Sequence, residues 1–133
     1  ARRSLKISRT NARSACSDEL IQQEAVTLCI NVSKQQPFPS SSITKLQIPI
    51  YDDPNEDLYS HFDRCADAIQ KEANRGGRSV VYCKNGRSRS ATICIAYLMK
   101  HRKLSLTDAL QVRIYPTLLY FTFCTGYNFG IWC

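Results

Sequence analysis

Several common signatures are missing from this chain, and each absence excludes a class. Its seven Cys include no C-x-x-C pair, the number is odd, and no secretory signal opens the sequence. Reduced thiols in a reducing compartment are therefore expected, in the cytoplasm or nucleus, rather than a disulfide framework. The pattern G-x-x-x-x-G-K-[ST] is absent, so the usual cradle for ATP or GTP is not expected. No internal repeat is visible, which argues against a solenoid. Acid is missing before Asp18, while Arg2, Arg3, Lys6, Arg9 and Arg13 supply much of the net charge of +7. These cations have neither interleaved aromatics nor a reading helix, so they read as a solvated segment and nucleic acid is not an expected partner. Charge is also missing from residues 114–133, which hold seven aromatics. Twenty residues is just long enough to span a bilayer. Pro116, Gly126, Asn128, Gly130 and three Thr dilute the run, so the tail reads as core or as an aberrant terminus before it reads as a membrane anchor.

What is present fits one α/β domain of 133 residues. Strands are expected at Leu5–Ile7, Val26–Val32, Lys45–Ile50 and Ser79–Cys83. The second is a continuous apolar run rich in β-branched residues, and the third alternates. Ser17-Asp18-Glu19 opens a helix reaching about Ala25. Asp57 opens another, with Leu58, Phe62, Cys65, Ala66, Ile69 and Ala73 at helical spacing and Gly76-Gly77 as its stop. Ala91 to about His101 is helical, and Ser105 with Asp108 makes a capping-box-like start to a helix through about Arg113. Residues 34–42, with two Pro and a Ser run, form a loop. Strands alternating with helices imply a central, mostly parallel twisted sheet flanked by helices. Asn31-Val32-Ser33 matches a glycosylation sequon at the end of a strand, a chance match in such a protein.

The chemistry concentrates at Cys83-Lys84-Asn85-Gly86-Arg87-Ser88-Arg89-Ser90, between a strand and a helix. A phosphate dianion needs many donors on a short arc. Backbone N–H groups of residues 84–89 supply them if the loop curls into a nest, and the following helix aims its positive end at the same point. Gly86 permits a backbone angle that a Cβ resists. Arg89 adds a bidentate fork to two phosphate oxygens. The same field favours thiolate at Cys83, making it a nucleophile, and Ser90 can hydrogen-bond the sulfur as it leaves. A structural Cys ending a strand is the bland alternative. It does not account for Cys and Arg six apart with Gly between and Ser after. Expelling an alkoxide or phenoxide needs a proton donor, for which Asp52 and Asp53 are the candidates. Turn chemistry ahead of Pro54 is the competing role for both, and spacing alone does not choose.

These residues resemble the cysteine-based protein phosphatases, in particular the small atypical dual-specificity branch. That family's signature is H-C-x5-R-[ST], and Tyr82-Cys83 through Arg89-Ser90 fits it everywhere but the His. Ile48-Pro49-Ile50-Tyr51-Asp52 is similar to the segment that carries the family's acid, 31 residues before the nucleophile. The resemblance covers about residues 5–113. It implies a catalytic domain over 1–113, a divergent tail over 114–133, phosphoprotein substrates, and no metal or other cofactor. It also implies two-step chemistry, with Cys83 attacking phosphorus, Asp52 as acid and then base, and Arg89 with the loop amides holding the phosphoryl oxygens. Two departures stand out. Tyr82 replaces a His that supports the thiolate, and a neutral phenol gives less electrostatic help, so slow turnover is expected. A binding module for phosphoproteins with most of its chemistry lost is the alternative. The family's last amphipathic helix also has no counterpart in residues 114–133.

Overall fold

In the computed structural model of the chain, the structure describes residues 3–8, 18–23, 25–51, 53, 55–84, 89–111, 118–123 and 129–132. In chain order the elements are β1 (Arg3–Ser8), α1 (Asp18–Gln23), β2 (Leu28–Asn31), β3 (Thr44–Gln47), a 3-10 turn (Tyr59–His61) leading into α2 (Phe62–Asn74), and β4 (Ser79–Tyr82). There follow α3 (Arg89–His101), α4 (Leu106–Gln111), β5 (Leu118–Phe123) and β6 (Phe129–Trp132). The main sheet has the order β3-β2-β4-β6, and every pairing in it is parallel.

The expected α/β architecture is therefore present. Strands β2 and β4 are buried along their whole length, because helices cover the sheet. Ile30 and Val81 lie side by side across that pair and are fully enclosed. Cys65, Ala66, Ile69 and Ala73 form the buried stripe of α2; Ile93, Cys94, Tyr97 and Leu98 form that of α3. Truncating Ile30 to Ala should cost roughly 2–5 kcal/mol, since it removes methylenes and leaves a cavity in a rigid sheet. Urea unfolding monitored by circular dichroism checks this through a lowered midpoint at constant slope.

Local chemistry explains most boundaries. The Asp57 carboxylate accepts the Ser60 N–H at 3.1 Å, capping the 3-10 turn that leads into α2. Gly76 adopts φ +81° just past the end of α2, and the Gly77 N–H bonds the Glu72 carbonyl at 2.9 Å. The Asp108 N–H donates to Ser105 Oγ at 3.0 Å, so the expected cap on α4 is made. Across the outer face Lys100 reaches Asp63 and Asp67, and His101 reaches Asp67, tying α2 to α3. These contacts lower the Asp67 pKa and raise that of Lys100. A groove of about 680 Å³ lies beside them, lined by apolar groups including Phe62, Ile95, Met99 and Leu106.

Three differences from the sequence reading have physical causes. The third strand runs only from Thr44 to Gln47, because Pro49 brings no N–H to the ladder. Helix α3 begins at Arg89, before Ala91, so Arg89 belongs to its first turn. The tail forms two strands. β5 pairs antiparallel with β1, and β6 runs parallel to β4 with Trp132 opposite Tyr82. Aromatic and β-branched residues favour such pairing, and an apolar run without clear period does not announce it. No helix among the described residues is long and apolar enough to cross a membrane.

Candidate active site

Parallel strands gather ligand-binding loops at their carboxyl ends. Here β2, β3 and β4 end together, at Asn31, Gln47 and Tyr82. Cys83 leaves β4 at this edge and is buried. Its Sγ sits 3.4 Å from Oγ of Ser90, which is also buried, in the first turn of α3. Either atom is able to donate; a thiolate at Cys83 makes the hydroxyl the donor. The thirteen residues of α3 direct their N-terminal end toward this point.

Arg89 Nη1 donates to the Ile50 carbonyl at 3.0 Å. The guanidinium is thereby fastened to the root of the segment that carries Tyr51 and the two acids. Its buried Nε has no acceptor among the described residues. Asp53 is committed elsewhere: its carboxylate accepts the Asn55 N–H at 2.8 Å and its carbonyl accepts the Glu56 N–H at 3.0 Å. Of the two acids, Asp53 thus performs the turn role. Glu56 Oε1 in turn accepts the Tyr51 N–H at 3.1 Å. Asp52, Asn85, Gly86, Arg87 and Ser88 lie outside the described residues. Lys84 is exposed at the rim of a cavity of about 140 Å³, which is lined also by Ser33, Lys34, Gln35, Gln36, Tyr51 and Arg89.

Two other buried thiols, Cys65 and Cys94, are disfavoured as thiolates. Burial pushes the Cys65 thiol up to about 11, and burial, with Cys65 and Cys83 nearby, pushes Cys94 well above its ordinary value.

Sequence reading missed the wall opposite. Tyr82 is fully enclosed and its hydroxyl donates to the Pro37 carbonyl at 2.5 Å. Asn31 Nδ2 donates to the Gln36 carbonyl at 2.7 Å, and Ser33 Oγ donates to Asn31 Oδ1 at 2.5 Å. The Gln36 N–H returns to Ser33 Oγ at 3.3 Å, and Gln47 Nε2 donates to the Ser33 carbonyl at 3.2 Å. Residues 33–37 are thus wired to the ends of β2, β3 and β4. The sequon match at Asn31 is inaccessible for the same reason, since Asn31 is wholly buried. A Tyr and an Asn at the ends of two buried strands were the available signal, because buried polar groups must find partners.

A family model for the dual specificity phosphatase catalytic domain matches residues 10–114. The chain belongs to that family. It is 48% identical over 103 residues to human dual specificity phosphatase 28, a match covering 77% of this chain and 58% of the relative. It therefore spans about three-fifths of the length of that relative. The crystal structure of human DUSP28 superposes with a TM-score of 0.72, covering 76% of this chain and 69% of the other at 48% identity. A mouse phosphatase structure, complexed with zinc tungstate, gives a TM-score of 0.73 at 49% identity, covering 76% of this chain and 64% of that one. The Tyr82–Pro37 contact gives the residue before Cys83 a structural partner. Its hydroxyl is bonded into the loop wall.

Proposed function

We propose that this chain hydrolyses phosphate esters of tyrosine, and also of serine and threonine, in proteins of the cytoplasm or nucleus, through a cysteinyl-phosphate on Cys83. The observation that carries this is the pairing of Cys83 with Ser90 on the first turn of α3, beside an Arg89 moored to Ile50. Residues 1–113 carry this chemistry as the catalytic domain, and 114–133 supply no reacting group.

In the first step the Cys83 thiolate forms a bond to phosphorus as the ester P–O bond breaks. Asp52 delivers its proton to the leaving oxygen, so the substrate departs as a neutral alcohol or phenol. Arg89 and the N–H groups of loop 84–89, with Lys84, Asn85, Gly86, Arg87 and Ser88 contributing their backbones, hold the three equatorial oxygens as charge redistributes. In the second step water attacks phosphorus and gives a proton to Asp52. The S–P bond breaks, inorganic phosphate forms, and Ser90 donates a hydrogen bond to the departing sulfur. No residue in this sequence of steps requires a metal.

Tyr82 makes the chemistry slow. A His at that place, when protonated, brings positive charge near the sulfur; a neutral phenol whose proton is spent on Pro37 brings none. Replacing Tyr82 with His is expected to raise kcat on p-nitrophenyl phosphate by about tenfold, equivalent to about 1.4 kcal/mol off the activation barrier. Steady-state hydrolysis at neutral pH checks it. The same position favours a second reading, a phosphoprotein-binding module. Tight phosphopeptide binding with no turnover, before and after Tyr82→His, would select that reading.

A further inference from the structure

We propose that the wall formed by residues 33–37 is an anion subsite that takes a second negative charge on the substrate, next to the phosphorylated residue. Lys34 is its ligand and Tyr82 its positioning residue. This deepens the phosphatase reading above and rests on it.

The cavity of about 140 Å³ at the candidate site brings together three cations, Lys34, Lys84 and Arg89. The reacting phosphoryl group occupies Arg89 and the loop amides. Lys34 comes from a different element, the loop after β2, and so stays available to another anion. Its Nζ lies 4.2 Å from the centroid of the Tyr51 ring, which steers the ammonium along the cavity rim. Neither Lys34 nor Lys84 has a carboxylate partner among the described residues. The nearby acids that are described have other duties: Asp53 accepts the Asn55 N–H and Glu56 accepts the Tyr51 N–H.

A lone surface Lys on a flexible loop contributes little to binding, because ordering it consumes most of the Coulomb gain. This loop is not left to order itself. Asn31, Ser33 and Tyr82 are all buried, and each directs polar atoms into residues 33–37. Burying such groups is costly unless they are bonded, and here the bonds hold the wall in place before substrate arrives. Tyr82 reaches it from the end of β4, one residue before the nucleophile. The position of Lys34 is thereby tied to that of Cys83. An acidic side chain and a second phosphoryl group present the same chemistry to Lys34, an anionic oxygen cluster at the cavity rim.

Three phosphotyrosine peptides test this, identical except for neutral flanks, Glu flanks, or a neighbouring phosphoserine. Wild type is expected to prefer the Glu-flanked peptide over the neutral one by about three- to fivefold in kcat/KM at low ionic strength. The doubly phosphorylated peptide should exceed both, having about −1.5 to −2 charge at the flank. Such preference should shrink as salt rises. Lys34→Gln should bring the ratios to near unity, and Lys34→Arg should restore them. Tyr82→Phe, which keeps the ring in the core and deletes only the hydroxyl, should lower the same ratios through KM rather than kcat. Glu preference without phosphoserine preference assigns the site to acidic side chains, and the reverse assigns it to a second phosphate. Equal rates on all three peptides, or ratios that survive Lys34→Gln, would overturn the subsite. Ratios lost in Lys34→Gln but intact in Tyr82→Phe would overturn the positioning role. Absence of hydrolysis for every peptide would count against the phosphatase reading instead. Peptide Kd ratios on Cys83→Ser then decide the subsite without turnover.

Discussion

Cys83→Ser is expected to lower kcat on p-nitrophenyl phosphate by on the order of a thousandfold or more, because the covalent step disappears with the thiolate. A Ser hydroxyl in the same place is nearly isosteric but stays protonated at neutral pH. On the proposed mechanism phosphate is held by Arg89 and the loop amides rather than by the sulfur, so phosphopeptide affinity should survive while turnover does not. That split is informative. Loss of both would indicate collapse of the loop, which a thermal melt distinguishes. Undiminished hydrolysis by Cys83→Ser would remove Cys83 from the mechanism.

Asp52→Asn carries the second large effect, and its size should depend on the leaving group. General acid catalysis contributes about 10²–10⁴-fold. A phosphoserine substrate expels an alkoxide, which cannot leave without a proton, so its kcat should fall by the upper part of that range. p-Nitrophenolate is stable without protonation, so its first step should be nearly spared. The second step still needs a base for water, and it becomes rate-limiting. Asp53→Asn is the matching control. Its carboxylate bonds the Asn55 N–H, and an amide oxygen accepts that bond as well, so turnover should change little. Parallel kinetics on phosphoserine peptide and p-nitrophenyl phosphate give the contrast. An equal loss for both variants would remove the distinction between the two acids.

The strand–loop–helix around Cys83 was legible because three signals agree there. A short apolar run ends at a polar Gly-containing turn, and good helix formers follow. The structure places Ser90 against the sulfur as that reading expected. The choice between Asp52 and Asp53 was not legible from spacing, since either acid is able to serve a turn. It became so for Asp53 only through its contact with Asn55. The partners of the wall at residues 33–37 were not legible for a different reason. Tyr82 and Pro37 stand 45 residues apart, and the loop has no period that records which strand it leans on. The tail shows the limit of hydropathy. A twenty-residue uncharged run is compatible with strand, core helix or anchor, and pairing with β1 and β4 is what decides between them.

A covalent phosphoenzyme on Cys83 is the central claim. Asp52→Asn with p-nitrophenyl phosphate is the favourable case for seeing it, since formation is spared and hydrolysis is slowed. Rapid acid quench followed by peptide mass spectrometry measures it directly. A single phosphoryl increment on the peptide bearing Cys83, absent from the Cys83→Ser, Asp52→Asn double variant, is the predicted result. A phosphoryl group on another residue, or steady turnover with Cys83 never modified, would contradict it.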